Sequence, residues 1–521
     1  MGSYTYLTKG NGTTYVYWQV SQWDSERGMS VPKKTCVGKL GDDGEVIYNK
    51  RFSYPGAMDD LDSGREEAEA VLIGQSMLLD AACKRSGLTT ALDDVFGKAA
   101  TARIVSIAYA IVAGDSRMYG AGSWMESHAC PCHDAPLSSP RISETFAAIR
   151  SSLIESFMAK WASRTASADA GHYCFDLTSV SSSNESNPFV EWGYNRDKER
   201  LPQINIALLS GITSRLPSAY LLLPGSVSDV TCVDELGERM AKYGIGGIRL
   251  ALDRGFYSQD NLDDMAGSGR RFMMPVPGNV NAAKDLIDSC RADIESDLHF
   301  VETTEDGTAA VYGMTALGTA GGKRLWRHVY FDAARRVEHI SSFFARLSAW
   351  EKELREKRPK KCNQAFYDKY FIVKATPKRG YRVKRNIAAI NEFKTDYAGF
   401  WVIVTNFEKD AGKTLGLYRQ RARVEQHYDD LKNELDMMRV RTHRQETMRG
   451  RVFVHFVALI ILQQLRIIMQ DSKAHDGTLT VRTTLKKVDS YMRIKFKGQY
   501  KDVRSTMSKS QREIFTAFGL L

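Results

Sequence analysis

An α/β core is predicted between residues 166 and 278, because strand-like stretches at 172–180, 204–210 and 219–223 are followed by a helical stretch at 230–243 and two more strand-like stretches at 248–253 and 271–276. Two flanking patterns complete the fold class. A β-rich and then helical N-terminal part precedes the core, and helices dominate after residue 401. The charged stretch 279–400, with short strand-like pieces, reads as a β-rich insertion that interrupts the core.

Within the first 60 residues, Tyr15, Val16, Tyr17, Trp18 and Val20 form a β-patterned burst bounded by Gly10, Gly12, Gly38, Gly41 and Gly44. From 61 to 165 the spacing turns helical and predicts a helical domain. Ala70, Ile73, Met77, Leu78 and Ala81 share a stripe that Gly87 ends, a second helix follows at 99–112, and Ser139 before Pro140 starts another. The core follows at 166–278 and the insertion at 279–400. The core resumes at 401–470 with a strand at 401–405 and helices at 417–438 and 452–469, and a helical region at 471–521 ends the chain.

Composition narrows the class. A chain of 521 residues with 43% hydrophobic and 26% charged residues is neither disordered, collagen-like nor a coiled coil, and its length suits three or four domains. The balance of 72 Lys plus Arg against 62 Asp plus Glu, a net +10, suits a polyanionic partner. The most apolar stretch, 452–469, is interrupted by His455, Gln463, Gln464 and Arg466, so a buried helix is expected and no membrane association. The polar start of the chain lacks the pattern of a secretory signal, and eight scattered cysteines suit reduced thiols; a cytoplasmic protein is expected. His128, Cys130, Cys132 and His133 offer zinc-binding atoms, but their compact spacing lacks the separated ligand pairs of structural zinc sites.

Tyr418, Arg421, Glu425 and Lys432 carry the first chemical signal. On one continuous helix, offsets of 3, 7 and 14 residues place all four within a stripe roughly 60° wide. A phenol, a guanidinium, a carboxylate and an ammonium in one row can meet a phosphate and a metal together, although a solvated charged face has the same pattern. Asp176 and Asp253 each fall where an apolar strand-like stretch ends. Neighbouring strand-end carboxylates repel unless a divalent cation neutralises them, whereas a single such Asp more often caps a turn. Asp229, Asp260, Glu191 and Glu434 are competing carboxylates.

Asp176 in FDLTSV, Asp253 in LALDRGFYS and the Tyr418, Arg421, Glu425, Lys432 spacing together resemble the DDE transposases of the insertion-sequence 4 superfamily, whose hallmark is that spacing of Tyr, Arg, Glu and Lys. The resemblance runs through GYNRDKERLPQINIALL and LPGSVSD and covers about residues 170–470; the N-terminal layout is similar to a long-chain branch of that superfamily. It implies an RNase H-like core with Asp176 on the first strand, Asp253 beside the fourth and Glu425 on a later helix. It also implies that these three carboxylates are catalytic and hold two Mg²⁺ or Mn²⁺ ions, consistent with the preference of hard cations for oxygen ligands. Tyr418, Arg421 and Lys432 would hold the DNA backbone, and the helical domain at 61–165 would bind DNA.

The implied partners are double-stranded DNA, as terminal inverted repeats and as target, and a second copy of the chain. The implied location is the cytoplasm, at the nucleoid when the protein is bound to DNA. The implied activity is cleavage at the element ends and joining of the 3′-OH ends to target DNA. A metal-dependent nuclease without joining, or a transposase-derived DNA-binding protein that has lost its chemistry, are the alternatives. Beyond the signature, Lys374, Lys378, Arg379, Arg382, Lys384 and Arg385 form a basic strip able to track phosphates, with a solubilising loop as the plainer reading. Trp326 is a candidate for stacking on an unpaired base, with a core Trp as its plainer reading.

Overall fold

The computed structural model describes residues 3–10, 12–24, 27–41, 44–49, 68–114, 118–184, 187–195, 197, 199–227, 229–303, 307, 309–376, 380–440, 442, 444–472, 479–496 and 501–521. Two compact units form, Met1–Val71 with Tyr491–Thr506, and Leu72–Ser490 with Met507–Leu521.

The smaller unit contains a four-stranded antiparallel sheet of Ser3–Thr8, Thr14–Asp24, Met29–Leu40 and Val46–Tyr48. Its register sets Tyr4 opposite Trp18 with ring centroids 5.0 Å apart, while Val16 and Val37 are fully buried. Strand Met492–Phe496 lies between Val503–Arg504 and Ala68–Leu72 in a second small sheet. The C-terminal region expected to be helical therefore contributes two strands, and its helices Val481–Val488 and Lys509–Ala517 flank them in sequence.

The larger unit is built on one ten-stranded mixed sheet. Its strands in chain order are β1 (His172–Ser182), β2 (Gln203–Gly211), β3 (Pro217–Pro224), β4 (Arg249–Ala251), β5 (Arg271–Val276), β6 (Phe300–Thr303), β7 (Ala310–Ala320), β8 (Lys323–Asp332), β9 (Phe400–Thr405) and β10 (Arg439–Val440). In space the order is β6-β7-β8-β9-β5-β4-β1-β2-β3, with β10 beside the far end of β1. β1, β4 and β5 run parallel, β2 runs antiparallel to them, and β3 pairs antiparallel with β2 and so returns to the direction of β1. Every residue of β2 is buried, including Gln203, Asn205 and Ser210, as expected of a strand covered on both faces.

Helix Ser151–Asp169 is tied to β3, where Trp161 donates its indole N–H to the Pro217 carbonyl at 2.7 Å. The helix Gln445–Asp471 is long and apolar enough to cross a membrane, yet 94% of its most apolar window is buried inside the protein. The helices Gly74–Ser86, Lys98–Ala113 and Ser139–Ala148 pack on it. The N-terminal helices thus share a unit with the sheet. Helix Ser139–Ala148 comes close at Gly450, where a Cβ would stand 2.0 Å from the Phe146 carbonyl oxygen.

The stretch 279–400 differs from the expected β-rich insertion. Its strands β6, β7 and β8 extend the main sheet, and its remainder is largely helical, led by Ala333–Arg355. The apolar stripe of that helix, Phe343, Leu347, Trp350 and Leu354, is spaced helically but set among charges, which hid it from a reading of local composition. With Tyr367, Tyr370, Phe371 and Val383 it forms a separate small core.

The single helix expected at 417–438 is also corrected. It is divided into Ala411–Arg419 and Ala422–Asp429, then widens into a π-turn at Asp430–Glu434. A wheel drawn at one constant angle per residue does not apply across such a break.

Two histidines of this region are fully buried. His427 contacts the Ser210 hydroxyl at 2.9 Å, and burial, reinforced by nearby Arg466, lowers its pKa to about 3. Burial, followed by Arg451, does the same to His455. Their unfolded-state pKa lies near 6.5, so between about pH 6.5 and 3 the unfolded chain binds protons that the folded chain refuses. Each histidine should therefore cost about 1.4 kcal/mol of stability per pH unit as pH falls through that window. Urea midpoints measured from pH 7 to 5 should fall, with a shallower slope in His455→Leu; equal slopes would remove His455 from the effect.

Candidate active site

Asp176 lies within β1 rather than at its end, but the neighbouring strand β4 is short. The parallel register pairs Cys174 with Ala251, and two residues further along the two chains come Asp176 and Asp253. A step of two returns to the same face of a sheet, so both carboxylates point to one side. Each is oriented locally: Asp176 accepts a hydrogen bond from the Leu177 N–H at 2.8 Å, and Asp253 accepts from the Arg254 N–H at 2.6 Å, capping a short turn.

Glu425 arrives on helix Ala422–Asp429, which Tyr428 fastens to the sheet. The Tyr428 hydroxyl accepts from the Leu208 N–H at 2.8 Å and donates to the carbonyl of Asp176 itself. One turn beyond, the carboxylate of Asp430 is buried and accepts from Gln463 at 2.6 Å and from Arg466 Nη2 at 2.8 Å. That network anchors the segment to the long helix Gln445–Asp471.

The three carboxylates meet at one guanidinium. Arg421 Nη2 is 2.9 Å from Glu425 Oε1, 3.2 Å from Asp253 Oδ1 and 3.8 Å from Asp176 Oδ2. No two of these oxygens can be further apart than the sum of their distances to that nitrogen. The Arg421 side chain is only 9% exposed, whereas Asp253 and Glu425 are 43% and 57% exposed, so the acids face solvent and the cation lies beneath them. Burial opposes the charge on Arg421, but the surrounding Tyr418, Asp253, Asp176 and Glu425 outweigh it and hold its pKa above the ordinary value. The Tyr418 ring lies 5.9 Å from the guanidinium carbon, and burial pushes its phenol up to about 12.

Lys432 points elsewhere. Its ammonium is paired with Asp197 at 2.6 Å, on the segment GYNRDKER, and Arg439 pairs with Glu199 of the same segment at 2.7 Å. That segment is locked to LPGSVSD by close backbone approach, because a Cβ on Gly193 would sit 2.0 Å from the Gly225 carbonyl oxygen. Gln203 Nε2 donates to the Tyr194 carbonyl at 3.0 Å, and Asn205 Nδ2 to the Gly225 carbonyl at 3.1 Å.

A cleft of about 1080 Å³ opens beside the acids, with Arg335, Lys369, Trp401 and Arg421 among its lining. Arg335 lies over the Trp401 ring at 4.5 Å, and that ring stacks on Tyr330 at 5.2 Å. Neither Arg335 nor Trp401 stands out in the sequence, where nothing local marks them. Trp326 lies instead on β8, half-buried and in register with Leu317 and Thr405, with Arg324 over its ring.

The basic strip forms a hairpin of Phe371–Thr376 and Gly380–Arg385. Its register pairs Lys374 with Arg382 and Ile372 with Lys384 on the outer face, opposite the buried Phe371 and Val383. Arg385 is committed to Glu351 at 2.7 Å, while Lys378 and Arg379 lie outside the described residues.

Among the described residues, no three His, Cys, Asp or Glu side chains stand close enough to hold one ion as placed. In the acidic triad, Arg421 fills the middle. The ring nitrogens of His128 are engaged with Asp489 at 2.9 Å and with the Ser127 hydroxyl at 2.8 Å, and His133 contacts the Met125 carbonyl, so His128 and His133 are not poised for zinc. Of the competing carboxylates, Glu191 bonds Ser226, Asp260 is exposed on the first turn of its helix and Glu434 ends the π-turn; the Asp229 side chain lies outside the described residues.

Residues 167–461 match the family described as Transposase DDE domain, more than half of the chain. The chain belongs to the DDE transposase family. Among solved structures, this transposase is similar to a piggyBac transposase synaptic complex with hairpin DNA determined by cryo-EM, at 11% identity and a TM-score of 0.37, over 73% of this chain and 68% of that one. No curated protein matches the transposase.

Proposed function

We propose that the chain is a cut-and-paste transposase of the insertion-sequence 4 type, which binds terminal inverted repeats, cleaves the element ends and joins the 3′-OH ends to target DNA. The observation that carries this reading is the convergence of Asp176, Asp253 and Glu425 on one cationic centre from three separate parts of the chain. The strand order β3-β2-β1-β4-β5, with β2 antiparallel and β1, β4 and β5 parallel, supports an RNase H-like core in which the two aspartates sit on adjacent strands.

The donor set suits hard divalent cations. It consists of carboxylate oxygens, two of them well exposed, already gathered about a positive charge, so Asp176, Asp253 and Glu425 would hold a pair of Mg²⁺ or Mn²⁺ ions once the guanidinium withdraws. When bound, such a pair would supply activation of the attacking oxygen and stabilisation of the leaving one. The protein's own groups would do the rest. Asp253 and Asp176 are fixed by backbone N–H groups, Glu425 by the Tyr428 anchor, and Arg421 and Tyr418, joined by Lys432 once it leaves Asp197, would grip backbone phosphates and set the scissile bond in line.

On this reading the outer face of the hairpin, Lys374, Arg382 and Lys384, follows the DNA flank and reaches phosphates by charge alone, joined by Lys378 and Arg379 of the same strip. Arg385 has a structural role through Glu351. Trp326 would serve an unpaired base only after leaving its place in the sheet. Two copies of the chain would hold two DNA ends, and the site of action is the DNA of the cell.

Labelled terminal DNA, Mg²⁺ and a plasmid target test the proposal together. Labelled ends covalently joined to the plasmid are expected. Cut but unjoined ends would assign a nuclease, and a bound but intact duplex would assign a DNA-binding protein without chemistry.

A further inference from the structure

Arg421 is more enclosed than a residue waiting for DNA needs to be. Its Nη2 serves three carboxylates at once, and its Nε is buried without a hydrogen-bond partner among the described residues. A guanidinium is a fork of donors matched to a carboxylate or a phosphate, and an Nε left empty in a buried position is costly. The arrangement is therefore good for gathering the acids and poor for Arg421 itself.

We propose that Arg421 is a built-in counter-cation, which holds the three carboxylates together while DNA is absent and must leave their centre before divalent ions enter. The inference rests on the proposed metal site and adds the order of events there. The guanidinium and an ion compete for the same oxygens, and like charges at that distance exclude each other. A DNA phosphate reverses the balance. It offers two acceptor oxygens, which can take Nε and Nη2 together as a bidentate pair and satisfy the nitrogen that is now empty. Tyr418, beside the guanidinium, gives the side chain an aromatic surface to move along. Binding of an end and loading of metal then assist each other, since by linkage each must raise the affinity of the other by the same factor. An enzyme without DNA would keep its acids together but poorly loaded, which limits cutting at random sites.

The test is Mn²⁺ titration of the metal-free full-length chain, with free ion read by electron paramagnetic resonance, so that no turnover is needed. Arg421→Gln removes the charge and keeps polar bulk. It is expected to bind Mn²⁺ about tenfold more tightly than the wild type in the absence of DNA. A duplex carrying the element end should tighten Mn²⁺ binding in the wild type by more than in the variant. Equal or weaker binding by Arg421→Gln overturns the proposal, and the metal site itself then still stands if Asp253→Asn weakens Mn²⁺ in both backgrounds. If Asp253→Asn and Glu425→Gln leave Mn²⁺ binding unchanged, the metal reading fails and the proposal with it. Should Arg421→Gln lose the far-ultraviolet dichroism of the folded chain, Arg421→Met, which retains length and apolar packing, takes its place with the same expected outcomes.

Discussion

Asp253→Asn is expected to lower DNA cleavage by on the order of a thousandfold or more while leaving the fold intact, and Asp176→Ala and Glu425→Ala should do the same. The size follows from the role proposed: groups that act as a unit on one pair of ions lose most of the function when any one is removed. The choice of Asn at 253 separates chemistry from structure. Asp253 caps the turn that starts at Arg254, and Asn caps such a turn as well as Asp does. The substitution thus removes the charge without removing the cap, and at 43% exposure the lost carboxylate leaves no sealed cavity. Asp176 is more enclosed, at 16% exposure, so its alanine variant should show a small loss of stability as well. Cleavage of labelled end DNA, set beside thermal melting and end binding, checks this. Wild-type cleavage by any one variant would take that residue out of the site.

The largest effect on stability is expected at a residue with no part in the chemistry. Asp430 is buried, and its two oxygens face Arg466 and Gln463 of the long helix. Replacing it by alanine leaves the Arg466 guanidinium enclosed without its counter-charge, and breaking a buried pair from one side costs about 3 to 5 kcal/mol. That is a large fraction of the stability of an ordinary domain. Function should suffer too, because Asp430 directly follows the helix that carries Glu425 and is two residues from Lys432. Urea denaturation of Asp430→Ala against the wild type gives the answer; a midpoint unchanged within error would mean that the network does not anchor the segment. The double variant Asp430→Leu with Arg466→Met should recover much of the loss, since an apolar pair of similar volume avoids the unpaired charge.

Much of the core could be read from local patterning, because strands β1, β2, β3 and β5 each contain a short apolar run, and their order along the chain carries the α/β alternation. Asp176 and Asp253 each follow apolar residues, and the register across β1 and β4 sets them near one another. The features that escaped depend on distant partners. Nothing near Tyr428 says that its hydroxyl will meet Asp176, nothing near Lys432 announces Asp197, and the helix break after Arg419 has no glycine or proline to mark it. The strands at 492–496 and 503–504 pair with each other, and the first of them also with Ala68–Leu72 from the other end of the chain. Such a pairing leaves no periodic trace in either segment alone.

The proposed chemistry depends on three acids sharing divalent ions, and anomalous scattering from Mn²⁺ in crystals of the chain bound to element-end DNA measures that directly. Two peaks about 4 Å apart, in contact with oxygens of Asp176, Asp253 and Glu425 and with Arg421 turned onto a phosphate, are predicted. Manganese bound elsewhere, with Arg421 still between the three carboxylates and the DNA in place, would contradict it.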